Sequence, residues 1–194
     1  MGSSATPRLR VAIVDNSGGG GALHAARAMA VGLAARGHAV DLWAAPGAGP
    51  VLEGVRLRQG PAFAPWVDLG QLSVAASPLG PLEARRLRQA YDALAAALDQ
   101  GDYDVVMSHA CRYVEHPWLA GRLRAPLVAY VHALPRFVGD PGPGHDLARR
   151  LAVRLLRPWQ RRLAAASEAE LRAATIVLAN SSYTARALDV AYGV

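Results

Sequence analysis

Arg10-Val11-Ala12-Ile13-Val14-Asp15-Asn16-Ser17-Gly18-Gly19-Gly20-Gly21 joins a short apolar run to four glycines, and helix-patterned residues follow from about Ala22. A short unbroken apolar run of this kind reads as a strand buried on both faces of a parallel sheet. Glycines between such a strand and a helix start leave bare backbone N–H groups at the positive end of a helix dipole. A phosphate or a sugar hydroxyl can approach closely there. The stretch predicts a ligand-binding α/β chain. A glycine cluster also serves as a plain flexible turn, so the surrounding residues decide between the two.

Working outward, strand-like and helix-like runs alternate along the 194 residues. Residues 9–14 are the first strand. Leu23, Ala26, Ala30 and Leu33 recur at helical spacing, and Arg36-Gly37 ends that helix with a glycine just past the last turn. Residues 38–44 and 55–57 read as the second and third strands. Residues 60–81, broken by Pro61, Pro65, Pro78 and Pro81, form an irregular segment. A helix over 82–99, a fourth strand at 104–108, a helix around Pro117 to Leu123 and a fifth strand at 126–132 follow. Then come a Pro- and Gly-rich loop over 135–144, a long helix to about Arg172, a sixth strand at 175–179 and a last helix from Ser182. The pattern predicts a Rossmann-like, doubly wound parallel sheet of about six to seven strands with helices on both faces. In such a fold ligands sit at the carboxyl ends of the strands. Residues 1–8 are expected to be a disordered tail and 9–194 a single domain.

Composition narrows the partners. All 21 basic residues are arginine, so a lysine-dependent phosphate loop and a phosphoryl-accepting receiver domain are excluded. A net charge of +6 favours an anionic partner. The six tyrosines are not interleaved with a basic stripe and no base-reading motif occurs, so nucleic acid is not expected. The lone Cys111 excludes an internal disulfide and a cysteine-based zinc site and fits a reducing cytoplasm. No apolar run reaches the roughly 20 residues of a membrane span. In the long helix Leu147, Leu151, Leu155, Trp159 and Leu163 step along one side, with Arg150, Arg154, Arg157 and Arg161 gathered on another. Pro158 is positioned to split that helix. The basic face suits an anionic lipid surface and equally an ordinary solvated helix face.

The loops after the first, fourth and fifth strands carry the chemistry. The dinucleotide fingerprint fails, because Leu23 stands where the third glycine belongs and Trp43-Ala44-Ala45 supplies no acidic partner for a ribose. A tightly bound NAD is therefore not expected. Ser108-His109-Ala110-Cys111-Arg112 and His132-Ala133-Leu134-Pro135-Arg136 end two strands and aim two histidines at one crevice. Singly, such a histidine more often satisfies a local hydrogen bond than does chemistry. No other His, Cys, Asp or Glu stands at ligand spacing, so no metal site is expected. Asp102-Tyr103-Asp104 lies at the amino end of the fourth strand, away from the ligand edge, and reads as a turn leading into that strand.

The first strand, the Gly18–Gly21 loop, the helix ending Arg36-Gly37-His38, then Asp104-Val105-Val106, Val128-Ala129-Tyr130-Val131-His132 and Ala179-Asn180-Ser181-Ser182-Tyr183-Thr184 occur in a characteristic order. In that order the chain resembles the amino-terminal domain of family 4 glycosyltransferases of the GT-B fold, and Tyr130 to Phe137 resembles a mannosyltransferase-like subgroup. The resemblance implies a retaining transfer of sugar from a nucleotide-sugar, GDP- or UDP-linked, to a glycan or lipid-linked acceptor. It implies no metal and no tightly bound cofactor. It assigns catalysis to His132, and contact with the acceptor and the donor phosphates to Gly18, Gly19, Gly20 and Gly21; His109 and Ser181 join them as candidate contacts, and Arg136 is placed to grip an acceptor phosphate or carboxylate in bidentate fashion. A second, donor-binding domain is expected after the point where this chain stops at Val194, so the isolated chain is expected to be inactive. Cytoplasmic residence, with peripheral contact at the inner membrane face, completes the expectation. A competing class is a non-catalytic, single-domain binding or interaction subunit of the same fold.

Overall fold

The computed structural model describes residues 7–45, 50–60, 63–66, 74, 77, 79–114, 116–133 and 147–194, the side chains of 147–153 excepted. Six strands, β1 (Arg10–Asn16), β2 (Ala39–Ala44), β3 (Val55–Gln59), β4 (Val105–Cys111), β5 (Leu127–Val131) and β6 (Ile176–Ala179), form one sheet in the order β3-β2-β1-β4-β5-β6. Every neighbouring pair is parallel. Four described helices accompany it: α1 (Gly20–Ala35), α2 (Gly80–Gln100), α3 (Leu147–Ala173) and α4 (Ser182–Tyr192). This is the Rossmann-like α/β fold that the alternating pattern predicts.

β1 is central, and from Val11 to Asn16 every residue is buried. Its side chains divide by parity, as a pleated strand requires. Val11 and Ile13 pack with Ala26 and Ala30 of α1. Ala12 and Val14 turn the other way, into a cluster with Leu87 and Tyr91 of α2, Leu163 of α3 and the turn residue Trp118. Helices thus cover both faces, and each fully buried residue such as Ile13 or Leu87 stabilises the fold by about 2–3 kcal/mol. A third cluster joins Ala129 and Val131 of β5 to Leu171 of α3 and Leu188 of α4. At the opposite edge β3 exposes Arg56 and Arg58, which blunts strand addition. Both reach Asp41 of β2, at 3.8 Å and 3.1 Å.

The Asp-Tyr-Asp turn serves the amino-terminal edge of the sheet, as its position implies. Asp104 accepts the Arg10 N–H at 2.7 Å, and the Tyr103 hydroxyl donates to Asp41 at 2.7 Å.

Two local expectations are corrected. Residues 117–123 form turns instead of a helix. Pro117 supplies no N–H, Gly121 takes φ +71°, and the Ala120 N–H leaves the local chain to meet the Glu170 carboxylate at 2.7 Å. Pro158 does not split α3, which runs through it to Ala173. Trp159 and Leu163 hold the segment after the proline to the core, where the Trp159 indole N–H donates to the Val74 carbonyl at 3.0 Å. Gly80 permits that approach, since a Cβ there would overlap Trp159 and the same carbonyl. On the apolar side of α3, Leu155 is 74% exposed. Most of the irregular 60–81 segment, the 135–144 loop and residues 1–6 of the expected tail lie outside the described residues.

Candidate functional site

In the order β3-β2-β1-β4-β5-β6 the winding reverses between β1 and β4, and the crevice for ligands opens beyond their carboxyl ends. β1 delivers Asp15 and Asn16 to that point, both buried. The Asp15 carboxylate accepts from the Ser17 hydroxyl at 2.8 Å and the Ser17 N–H at 3.3 Å, and so shapes the first step of the glycine loop. Burial holds the Asp15 carboxyl above its usual range, the Ser17 hydrogen bonds opposing that shift.

Gly18, Gly19 and Gly20 follow with φ of +73°, +141° and +74°, a run that side chains resist. Gly19 caps α1 without a side-chain hydrogen bond, and no acidic residue stands in the first turn. Among the described residues no side chain caps the first N–H groups of α1, which leaves them and the helix dipole open to water or a ligand. Gly21 has open space where a Cβ would stand. Arg112, one residue past β4, lies against this loop: a Cβ on Gly18 would stand 3.2 Å from Arg112 Cδ. The Arg112 N–H donates to the Asn16 carbonyl at 2.9 Å, fixing the guanidinium stem beside the glycines.

The end of β4 is irregular. Val14 pairs with Ser108 and Asn16 with Cys111, so two residues, His109 and Ala110, stand opposite the single Asp15. Such a bulge re-aims side chains at a sheet rim. His109 is fully buried, and its Nδ1 lies 3.1 Å from Nε2 of His132, the residue that follows β5. The two rings are tilted at a centroid distance of 5.3 Å. Tyr130 stacks on His109 at 5.0 Å and meets His132 edge-on at 4.9 Å. Burial and the neighbouring His132 push the His109 ring down to about 3. His116, also buried, is pushed down to about 4 by burial and then by His132. His132 itself, half-buried, is lowered by burial. All three imidazoles are consequently neutral at pH 7.

β6 and α4 brace this pair from the far side. The Asn180 amide donates to the His132 carbonyl at 2.9 Å, and the Thr184 hydroxyl donates to Asn180 Oδ1 at 2.7 Å. The Ser181 hydroxyl accepts the Thr184 N–H at 3.1 Å as the cap of α4.

Of the residues that the sequence singles out, the structure brings Gly18–Gly21 and His132 to one edge of the sheet, with Ser181 beyond the end of β6. His109 stands behind His132 and does not open to solvent. Arg136 lies outside the described residues. Arg112, Asn180 and Tyr130 stand in the sequence motifs with no role evident from sequence. Their signal is positional: each follows, ends or abuts a strand at the ligand edge. No group of three or more metal-binding side chains occurs among the described residues.

A glycine-lined helix start, a guanidinium and neutral imidazoles thus stand together at the switch point of a Rossmann-like domain. Residues 19–194 match the family model for Glycosyltransferase Family 4. The match spans most of the chain, and the protein belongs to that family, whose chemistry is glycosyl transfer. No curated protein matches the chain significantly.

Proposed function

We propose that this chain is the acceptor-side, amino-terminal domain of a retaining glycosyltransferase of the mannosyltransferase-like subgroup. It works with a GDP- or UDP-sugar and a glycan or lipid-linked acceptor, and needs neither a metal nor a tightly bound cofactor. A second domain supplies most of the nucleotide-sugar site. The observation that carries this reading is the gathering of Gly18–Gly21, Arg112 and His132 at the carboxyl edge of β1, β4 and β5 in a chain of this family.

The glycine loop and Arg112 offer N–H groups and a cation to phosphate oxygens. His132, kept neutral by burial, donates a hydrogen bond to a sugar hydroxyl as positive charge develops at the anomeric carbon. Arg136 grips an acceptor phosphate or carboxylate. Along α3, exposed Leu155 stands among exposed Arg154, Arg157 and Arg161, a combination that suits peripheral contact with anionic lipid at the cytoplasmic face. No helix among the described residues is long and apolar enough to cross a membrane.

The test is His132→Ala in the full-length protein, assayed for sugar transfer from a panel of GDP- and UDP-sugars. Turnover falls roughly 10²-fold or more, with the unfolding free energy changed far less than the activity. Unchanged turnover removes His132 from the mechanism.

A further inference from the structure

The contact between His109 and His132 joins two neutral rings, so a single proton lies between Nδ1 of His109 and Nε2 of His132, 3.1 Å apart. Two arrangements are open. If His132 donates, His109 must carry its own proton on Nε2, a buried atom that meets no hydrogen-bond partner among the described residues. If His109 donates, that same Nε2 is a bare lone pair. A buried, orphaned N–H is the costlier of the two, because native structures leave acceptors under-satisfied more readily than donors.

The rest of the geometry places the pair and leaves the choice of arrangement to the unpartnered Nε2 of His109. The bulge opposite Asp15 sets His109 inward, Tyr130 stacks on its ring, and Asn180 holds the His132 carbonyl. Tyr130 contacts both rings, stacked on His109 and edge-on to His132.

We propose that His109 is a positioning residue: its Nδ1–H donates to Nε2 of His132 and locks His132 in the tautomer that carries its proton on Nδ1. That leaves Nδ1–H as the donor His132 offers to a sugar hydroxyl. The proposal rests on the assignment of His132 to the sugar site. It adds a direction to that assignment, since His132 in this state can donate to the ligand and cannot accept from it through Nδ1. Protonating His132 would force the His109 proton onto its unpartnered Nε2, so the pair also resists charging.

The test is nitrogen-detected NMR of the ¹⁵N-histidine-labelled protein at neutral pH, without ligand. Both His109 and His132 are expected to show a protonated Nδ1 and a bare Nε2. A proton on Nε2 of His132 overturns the proposal. His109→Asn, whose amide can donate from nearly the same place, keeps the His132 tautomer. His109→Leu lets His132 revert to the Nε2–H form that free imidazole side chains prefer. An unchanged His132 tautomer in a folded His109→Leu protein also overturns it. Should that variant fail to fold, the unsubstituted protein and His109→Asn still decide the question. In the full-length enzyme His109→Leu lowers kcat roughly tenfold, and His109→Asn recovers most of the loss. Equal losses in the two variants contradict a donor role. The ligand-free spectrum reports the pairing whether or not His132 serves transfer, so it fails separately from the His132→Ala assay.

Discussion

Lowering the pH from 8 to 5 should destabilise this protein through its buried histidines. His109 is held down to about 3 and His116 to about 4, against an ordinary value of 6.5. Below pH 6.5 the unfolded chain takes up a proton at each of these positions and the folded chain does not. Their contribution is therefore complete above about pH 6.5 and is lost as the pH falls toward the folded values. At pH 5, about 1.5 pH units below the unfolded value, each histidine costs roughly 2 kcal/mol at about 1.4 kcal/mol per unit. The pair together removes roughly 4 kcal/mol, a large part of the 5–15 kcal/mol that holds a typical domain. Asp15 and Glu170, whose carboxyls burial raises, act in the opposite sense as they protonate, and they offset part of the loss. The assay is urea unfolding followed by tryptophan fluorescence, for which buried Trp118 is a reporter. Comparing the protein with His109→Leu cancels the carboxylates. Between pH 8 and pH 5 the variant should lose roughly 2 kcal/mol less stability than the unsubstituted protein. An equal loss, within about 0.5 kcal/mol, would refute the claim that His109 is buried uncharged.

The glycine loop and the α4 cap give further expectations. Gly18→Ala, at φ +73° and with Arg112 Cδ 3.2 Å from the new methyl, costs about 1–2 kcal/mol of unfolding free energy. Gly21→Ala, with open space and no positive φ, costs nothing and gains up to about 1 kcal/mol of helix propensity; a similar penalty at both positions would show that the loop differs from the one described. Ser181→Ala loses about 1 kcal/mol by removing the acceptor of the Thr184 N–H, while Ser181→Asp keeps the cap. Matched thermal melts check this, and equal destabilisation by the two changes would contradict the capping role.

Local pattern carried the architecture because the elements announce themselves at short range. β1 reads as an unbroken apolar run since it is covered on both faces, and α1 starts at glycines and ends beside one. Residues 117–123 are not legible as turns because one bond that decides them, from the Ala120 N–H, runs to the Glu170 carboxylate 50 residues away. Pro158 is tolerated for a similar reason, as Trp159 and Leu163 hold α3 to a core built from residues distant in sequence.

The sequence by itself determined the α/β class, the family and the two histidines at neighbouring strand ends, since each rests on residue type and order along the chain. Only the tertiary structure decided which of those histidines reaches outward and which stands behind it. A bulge of one residue in β4 turns His109 into the interior, and parallel pairing of strands far apart in sequence brings its Nδ1 to His132. Burial then keeps both rings neutral, and desolvation of that kind depends on what surrounds a residue in space, not on its neighbours in the chain.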